Sequence, residues 1–138
     1  MNIVGIGTDI VSIARIKSIW LRYGNAFARR ILAKSELEDL PNAKDPVGFL
    51  AKRYAAKEAV AKALGTGFQP QGFWLTEIAV NNDSLGRPHL VFTGRAALEM
   101  ARREISESHL SLSDEREFAL AFVILSGQKN TPIEVTGA

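Results

Sequence analysis

An alanine-rich stretch, FLAKRYAAKEAVAKAL at 49–64, constrains the fold more than any other part of this chain. Asp45 and Pro46 precede it as a capping residue and a proline at the first helical position, and Gly65 follows it as a C-terminal stop. Alanine has the highest helix propensity and leaves a thin surface on which other elements can pack closely. The sequence therefore predicts a long, mostly buried helix.

Short apolar segments predict a sheet beside this helix. The β-branched segment 3–6 is closed by Gly7, and Asp9 is expected just past this strand, where a helix begins. The turn residues at 82–88 predict a hairpin between two further apolar strands, 74–80 and 88–93. The continuous apolar run at 118–125 is typical of a central strand. The segment 109–113, in which apolar and polar residues alternate, is the remaining predicted strand.

Three more helices complete the prediction. Apolar residues recur at helical spacing over 13–23 and stop at Gly24. Ser35 and Glu38 form a capping box that opens a short helix ended by Pro41, and a third helix spans 94–105. The class is therefore α+β, an antiparallel β-sheet with packed helices. We expect one domain over 1–126 and a flexible tail over 127–138.

Composition limits the possible chemistry. The 138 residues include no cysteine and only two histidines, His89 and His109. This excludes disulfides, thiolate nucleophiles, cysteine-type zinc sites and histidine-rich metal sites. Any enzyme chemistry is expected from carboxylates, lysines and an oxygen-binding metal. The start of the chain has no signal-peptide pattern and no membrane span is evident, so the prediction is a cytoplasmic protein.

The charge is concentrated at the N-terminus. The net charge is only +2, yet the first 30 residues carry five basic side chains against Asp9 alone. Arg15, Ser18 and Arg22 are spaced three and four apart, on one face of the first helix. Such a row is either a docking strip for an acidic partner or a solvated surface.

Three features could carry chemistry, and each has a plainer interpretation. Asp9 follows two glycines that allow close backbone approach, but it could simply cap a helix. Glu58 and Lys62 share a helix face, and Arg53 and Lys57 lie on the same helix, which suggests magnesium with phosphate or merely a surface ion pair. The segment 65–67, with Gln69 and Gln71, could cradle an anion or be a turn. It is not a P-loop, and no dinucleotide-binding fingerprint is present.

The order of five segments is far more specific than any one of them. GIGTDIV, FARRILAKSE, FLAKRYAAKEAVAKALGTG, LGRPHL and HLSLSDEREFALAFVIL follow one another along the chain. Together they resemble the holo-acyl-carrier-protein synthase family, the small bacterial 4′-phosphopantetheinyl transferases. The resemblance covers 2–126 and is most specific in KRYAAKEAVAKALGTG.

This resemblance implies a 4′-phosphopantetheinyl transferase-like fold and a definite reaction. Such enzymes transfer 4′-phosphopantetheine from coenzyme A to a serine of apo-acyl carrier protein in fatty acid biosynthesis. They release adenosine 3′,5′-bisphosphate. They use Mg2+, held here by Asp9 and Glu58, and are commonly homotrimers with a site at each subunit interface. Neither a nucleic-acid partner nor a membrane partner is implied.

Roles for other residues follow from the same resemblance. Lys62 is expected at the phosphate oxygens, beside Asp9 and Glu58, as a catalytic residue. Arg15, Ser18 and Arg22 are expected to dock the acidic carrier protein. The general base is left open between Glu58, Asp9 and a water on the metal. The residues expected to bind coenzyme A are Arg53 and Lys44 at the 3′-phosphate, Gly65 and Thr66, and the turn residues Gly86, Arg87 and Pro88 near the adenine.

The chain departs from the family pattern at one position. Many members carry a histidine after the alternating strand, in contact with the 3′-phosphate, whereas this chain has Asp114. A carboxylate would repel a phosphate, so that role is not transferred to Asp114. His109 is expected to be structural, and His89 is given no catalytic role.

Two other functions are consistent with the residues. One is a broader-specificity phosphopantetheinyl transferase for larger synthases, although such chains are usually about twice as long. The other is a non-catalytic module that docks an acidic helix of a carrier. The pairing of Asp9 with Glu58 argues against a pure docking module, which needs no metal site.

Overall fold

A computed structural model describes residues 1–66 and 75–128. It contains five strands and five α-helices in these residues, in the predicted α+β arrangement. None of the described helices is long and apolar enough to cross a membrane. In chain order the elements are β1 (Asn2–Ser12), α1 (Ile13–Tyr23), α2 (Asn25–Ile31), α3 (Lys34–Asp39), α4 (Pro46–Leu64), β2 (Ile78–Asn82), β3 (Pro88–Phe92), α5 (Gly94–Arg102), β4 (Ile105–Asp114) and β5 (Phe118–Gly127).

The predicted alanine-rich helix is α4, and both of its ends are confirmed. The Asp45 carboxylate accepts a hydrogen bond from the Gly48 N–H at 3.0 Å, and Pro46 is the first helical residue. Gly65 ends the helix in the left-handed conformation, with φ of 70°. Most alanines of α4 are completely buried, so this helix forms the centre of the core.

β5 is the central strand of the main sheet, as its apolar run predicts. The strand order is β1-β5-β4, and both pairings are antiparallel. β2 and β3 form a separate two-stranded hairpin around the predicted turn. β5 extends to Gly127, beyond the predicted end of the strand, because Ser126 and Gly127 pair with β1. Residues 129–138 of the predicted tail lie outside the described part of the chain.

Two glycines let β1 lie directly on α4. A Cβ atom on Gly5 or Gly7 would overlap the backbone of Ala63 or Ala59. Alternation along β1 then turns Asp9 toward α4 as well. The prediction that Asp9 stands where a helix begins is wrong, because β1 continues to Ser12, whose hydroxyl caps α1 by accepting from the Arg15 N–H. Asp9 is therefore not a helix cap.

The predicted capping box at Ser35 is also wrong. α3 begins two residues earlier than predicted, with Ala33 at the cap position, and the Glu36 carboxylate accepts from the Ala33 N–H at 2.8 Å. Glu36 is completely buried, so burial of its carboxylate, and not the serine hydroxyl, sets where α3 starts.

The remaining boundaries shift by a few residues. α5 ends at Arg102 instead of 105, because β4 begins at Ile105 and is longer than the predicted 109–113. A short 3-10 turn over Leu75–Glu77 precedes β2, so this strand starts at Ile78. Trp74, the predicted start, lies outside the described residues.

Candidate active site

Asp9, Glu58 and Lys62 come together where the middle of β1 crosses the second half of α4. Asp9 and Glu58 line one cavity of about 440 Å³. Lys62 lies one helical turn after Glu58, and its Nζ is 3.0 Å from Asp9 Oδ1. Lys62 therefore pairs across the elements with Asp9, and the helix ion pair with Glu58 suggested by their spacing is not the one that forms.

Two like charges in this cavity disfavour each other. Burial is the main cause that raises the pKa of Glu58, and the neighbouring Asp9 charge raises it further. A hydrogen bond from Tyr54 and the charge of Lys62 oppose this rise. Burial and the Glu58 carboxylate also raise the pKa of Tyr54. A cation bound in this cavity would offset the negative charges of Asp9 and Glu58.

The basic row on α1 leads to this cavity. Arg15, Ser18 and Arg22 are all exposed, as predicted. Arg15 also lines the cavity that contains Asp9 and Glu58. Arg22 lies over the ring of Tyr23, 5.3 Å from its centroid. A partner that docks on α1 would therefore lie beside the carboxylates.

Arg53 and Lys44 line a second cavity of about 460 Å³. The Arg53 guanidinium stacks on Phe49, 3.5 Å from the ring centroid, and its Nε is 3.5 Å from Glu36 Oε2. This buried Nε has no hydrogen-bond partner within the described residues. Arg53 is thus a fixed, incompletely paired cation, which suits an anionic ligand.

The second cavity has another basic residue that sequence reasoning missed. Lys52 lines it together with Arg53 and Lys44, and its Nζ is 4.0 Å from Asp114 Oδ1. Asp114 is the position where the family resemblance leads one to expect histidine. No pattern in the sequence connects Lys52 with Asp114, because the contact joins α4 to the end of β4.

Gly65 and Thr66 close α4 with their backbones. Their N–H groups donate to the carbonyl oxygens of Lys62 and Ala61 at 3.1 Å, so the turn interpretation is correct for these two residues and the N–H groups are not available to cradle an anion. The Thr66 hydroxyl is buried without a partner among the described residues. Gly67, Gln69 and Gln71 lie outside the described residues.

The turn at Gly86 is rigid and exposed. Asp83 accepts from the backbone N–H groups of Leu85 and Arg87 and from Arg87 Nε, at 2.8–3.0 Å. Gly86 has a φ of 82°, which other residues rarely adopt. Arg87 and Pro88 line a third cavity of about 480 Å³, together with His89 and His109.

These three cavities share no lining residue. Arg53 and Glu58 both belong to α4, but five residues at 100° each put their side chains about 140° apart around the helix. One chain thus places the predicted metal ligands in one cavity and the predicted coenzyme A residues in two others. Sequence reasoning also missed Tyr54, although its spacing of four residues from Glu58 was a usable signal.

Comparison with known proteins identifies the family of this chain. The family model for the 4′-phosphopantetheinyl transferase superfamily matches residues 5–123. A holo-[acyl-carrier-protein] synthase of Hamiltonella defensa subsp. Acyrthosiphon pisum is 49% identical over 127 residues, which is 92% of this chain and 100% of that protein. The Vibrio cholerae protein of the same name is 49% identical over 123 residues, covering 89% of this chain and 97% of its own.

Solved structures share the fold as well as the sequence. The crystal structure of holo-[acyl-carrier-protein] synthase from Neisseria meningitidis has a TM-score of 0.85 and 44% identity, covering 91% of this chain and 99% of that one. The Bacillus anthracis enzyme, solved in complex with CoA (3′,5′-ADP), has a TM-score of 0.75 and 36% identity, covering 91% and 98%. The chain therefore belongs to the 4′-phosphopantetheinyl transferase superfamily.

Proposed function

We propose that this protein is a holo-[acyl-carrier-protein] synthase. It transfers 4′-phosphopantetheine from coenzyme A to a serine of apo-acyl carrier protein, in fatty acid biosynthesis in the cytoplasm. The observation that carries the proposal is that Asp9 and Glu58 line one cavity beside the basic face of α1, with Lys62 paired to Asp9. Relatives that match nearly their whole length to this chain carry the same name.

The reaction is a displacement at phosphorus. The serine oxygen of the carrier forms a bond to the β-phosphorus while its hydroxyl proton passes to the general base, for which Asp9 and Glu58 are the candidate side chains. The bond from that phosphorus to the bridging oxygen breaks. Adenosine 3′,5′-bisphosphate leaves with the bridging oxygen. Lys62 is exposed enough to move from Asp9 to the pyrophosphate, where its charge would offset the charge that develops on the leaving oxygen.

Asp9 and Glu58 fit a magnesium ion. Mg2+ is usually held by one or two carboxylates together with substrate phosphates. Asp9 and Glu58 line the same cavity and would supply two such carboxylate ligands. Within the described residues no larger group of acidic, histidine or cysteine side chains is placed to hold a metal. Bound there, Mg2+ would neutralise charge on the pyrophosphate. The two side chains would thereby hold the cation beside Arg15, the member of the basic row on α1 that lines the same cavity.

The direct test is transfer itself. The purified protein is incubated with coenzyme A, Mg2+ and apo-acyl carrier protein, and the carrier is weighed by mass spectrometry. A gain of one phosphopantetheine supports the proposal. No gain, with the carrier still bound, would favour a docking module. Equal transfer to carrier domains of larger synthases would favour the broader-specificity enzyme.

The carrier is expected to dock through α1. The double charge reversal Arg15→Glu with Arg22→Glu should raise the KM for the carrier by at least about tenfold, because acidic carriers are steered by opposite charge. The KM for coenzyme A should change by less than about twofold if phosphate binding belongs to the second cavity. Lys34→Glu, an exposed reversal on α3, is the matched control. A larger loss for coenzyme A than for the carrier would contradict this assignment.

The homotrimer implied by the resemblance remains a proposal, and two features of the structure support it. The face of the main sheet that points away from α4 exposes a row of apolar side chains, namely Ile6, Ile10, Phe118, Leu120 and Phe122. Such a face is typical of an interaction surface. The three separate cavities also leave the proposed metal ligands apart from the two groups of coenzyme A residues, unless another copy completes the site. Sedimentation should give about three times 15.1 kDa, and a monomer mass would contradict this proposal.

A further inference from the structure

The second cavity contains a basic residue whose charge is held by a carboxylate at the cavity edge. Lys52, Lys44 and Arg53 line this cavity. The Lys52 ammonium is 4.0 Å from the partly exposed Asp114 carboxylate, whereas Arg53 is paired with the completely buried Glu36 at 3.5 Å. Asp114 itself is not among the lining residues. The pair therefore joins a side chain inside the cavity to one outside it.

The two other cations of this cavity, Arg53 and Lys44, differ from Lys52 in their surroundings. Arg53 is buried and fixed by stacking on Phe49, so it cannot move far toward or away from a ligand. Lys44 is exposed. Two carboxylates, Asp39 and Asp45, also line the cavity, but the Asp45 carboxylate is occupied in capping α4.

The Lys52–Asp114 pair is weak enough for Lys52 to leave Asp114 for a phosphate. Its side chains are 33% and 44% exposed, and 4.0 Å is long for an ion pair. Exposed pairs of this kind contribute about 1 kcal/mol or less. A phosphate dianion in the cavity would attract Lys52 more strongly than a single, partly hydrated carboxylate does. Its ammonium can therefore pass from Asp114 to the phosphate.

We propose that Lys52 binds the 3′-phosphate of coenzyme A together with Arg53 and Lys44, and that Asp114 is a positioning residue that weakens this grip. Asp114 weakens phosphate binding in two ways. It competes for the Lys52 ammonium, and its negative charge repels the phosphate. The inference rests on the proposed function for the identity of the ligand.

Weakening is useful because the 3′-phosphate is not changed by the reaction. Coenzyme A and the leaving group, adenosine 3′,5′-bisphosphate, carry the same 3′-phosphate. A contact made equally with substrate and product lowers KM without raising kcat, and it slows product release. Asp114 would keep this shared contact from holding the product too long.

The experiment measures binding of adenosine 3′,5′-bisphosphate by calorimetry, with adenosine 5′-phosphate as the ligand that lacks the 3′-phosphate. Lys52→Ala should weaken binding of the bisphosphate by about tenfold, as expected for loss of one charged phosphate contact. Asp114→Asn should tighten it by about threefold, within the range for a weak surface pair. Binding of adenosine 5′-phosphate should change by less than about 1.5-fold in both variants.

A double-mutant cycle separates the two actions of Asp114. If competition for Lys52 dominates, Asp114→Asn should have less than half of its effect, on the logarithmic scale, in the Lys52→Ala background. In steady state, Asp114→Asn should lower the KM for coenzyme A and the inhibition constant of the bisphosphate by the same factor. Lys34→Ala and Glu115→Gln are matched controls, since both are exposed and neither lines this cavity.

Several results would overturn the inference. Weaker bisphosphate binding in Asp114→Asn would mean that the carboxylate helps to hold the phosphate. Equal effects on both nucleotides would show that Lys52 does not bind the 3′-phosphate. If the wild type binds the bisphosphate and the variants behave as expected but no transfer occurs, the proposed function fails while the phosphate contact stands. Both side chains are partly exposed, so the variants should keep the melting temperature of the wild type.

Discussion

Replacing Asp9 by Asn, or Glu58 by Gln, should lower phosphopantetheine transfer by at least about a hundredfold at a fixed Mg2+ concentration, because each change removes one of two proposed protein ligands. Both substitutions keep the size of the side chain. The loss is measured as the rate of carrier mass gain in the presence of saturating coenzyme A. The Mg2+-dependent rise in melting temperature with coenzyme A present should disappear in both variants.

The fold should survive these two changes. Glu58 is a half-buried acid whose charge is disfavoured by burial and by Asp9, so the neutral glutamine removes an unfavourable charge from the folded state. We therefore expect Glu58→Gln to melt at the same temperature as the metal-free wild type or higher. Glu38→Gln, an exposed carboxylate on α3, is the control and should leave both readouts unchanged. Transfer within about threefold of wild type in either variant would end the assignment of these carboxylates to the metal.

Much of the fold could be predicted because it depends on local signals. α4 has a proline start, a glycine end and an alanine-rich interior, and each of these acts within a few residues. The central position of β5 follows from its continuous apolar run. The boundaries that were wrong depend on contacts distant in sequence. β1 runs past Asp9 because β5 pairs with it as far as Ser12, and nothing local in GIGTDIV indicates that partner.

The candidate site was predictable in its parts but not in its assembly. Asp9, Glu58 and Lys62 meet as the resemblance implies, and Arg53 shares a cavity with Lys44. Lys57 shows what sequence alone could not separate. It is one of several charged residues on α4, yet its side chain is completely buried, while that of Lys62 is 57% exposed. The angle of a side chain around a helix follows from the sequence, but whether that side is buried depends on the neighbouring elements.

Lys57 belongs to a buried network around Glu36, and removal of Glu36 should destabilise the fold more than any substitution in the three cavities does. One carboxylate oxygen accepts from the Ala33 N–H and from Lys57 Nζ, at 2.8 and 2.6 Å. The other accepts from the Val80 N–H at 2.9 Å and faces Arg53. Glu36 thereby ties α3 to α4 and to β2 through fully used acceptors.

Glu36→Ala should lower the free energy of unfolding by about 3–5 kcal/mol, the usual cost of removing one partner of a buried pair. The change leaves the Lys57 ammonium without its counter-charge and two backbone N–H groups without acceptors. Urea unfolding measures the loss. Glu38→Ala on the exposed side of the same helix should cost less than about 0.5 kcal/mol.

Lys57→Met tests whether the carboxylate or the ammonium is the critical member. Glu36 would keep both backbone donors and Arg53, whereas only the Ile31 carbonyl and one carboxylate contact lose a donor. We expect a cost smaller than that of Glu36→Ala by at least about 1 kcal/mol. If Glu36→Ala does not fold, Glu36→Gln gives the same comparison, since either orientation of its amide turns an NH2 group toward a backbone N–H. An equal or greater cost for Lys57→Met would mean that the ammonium, and not the acceptor set of Glu36, holds α3 against α4.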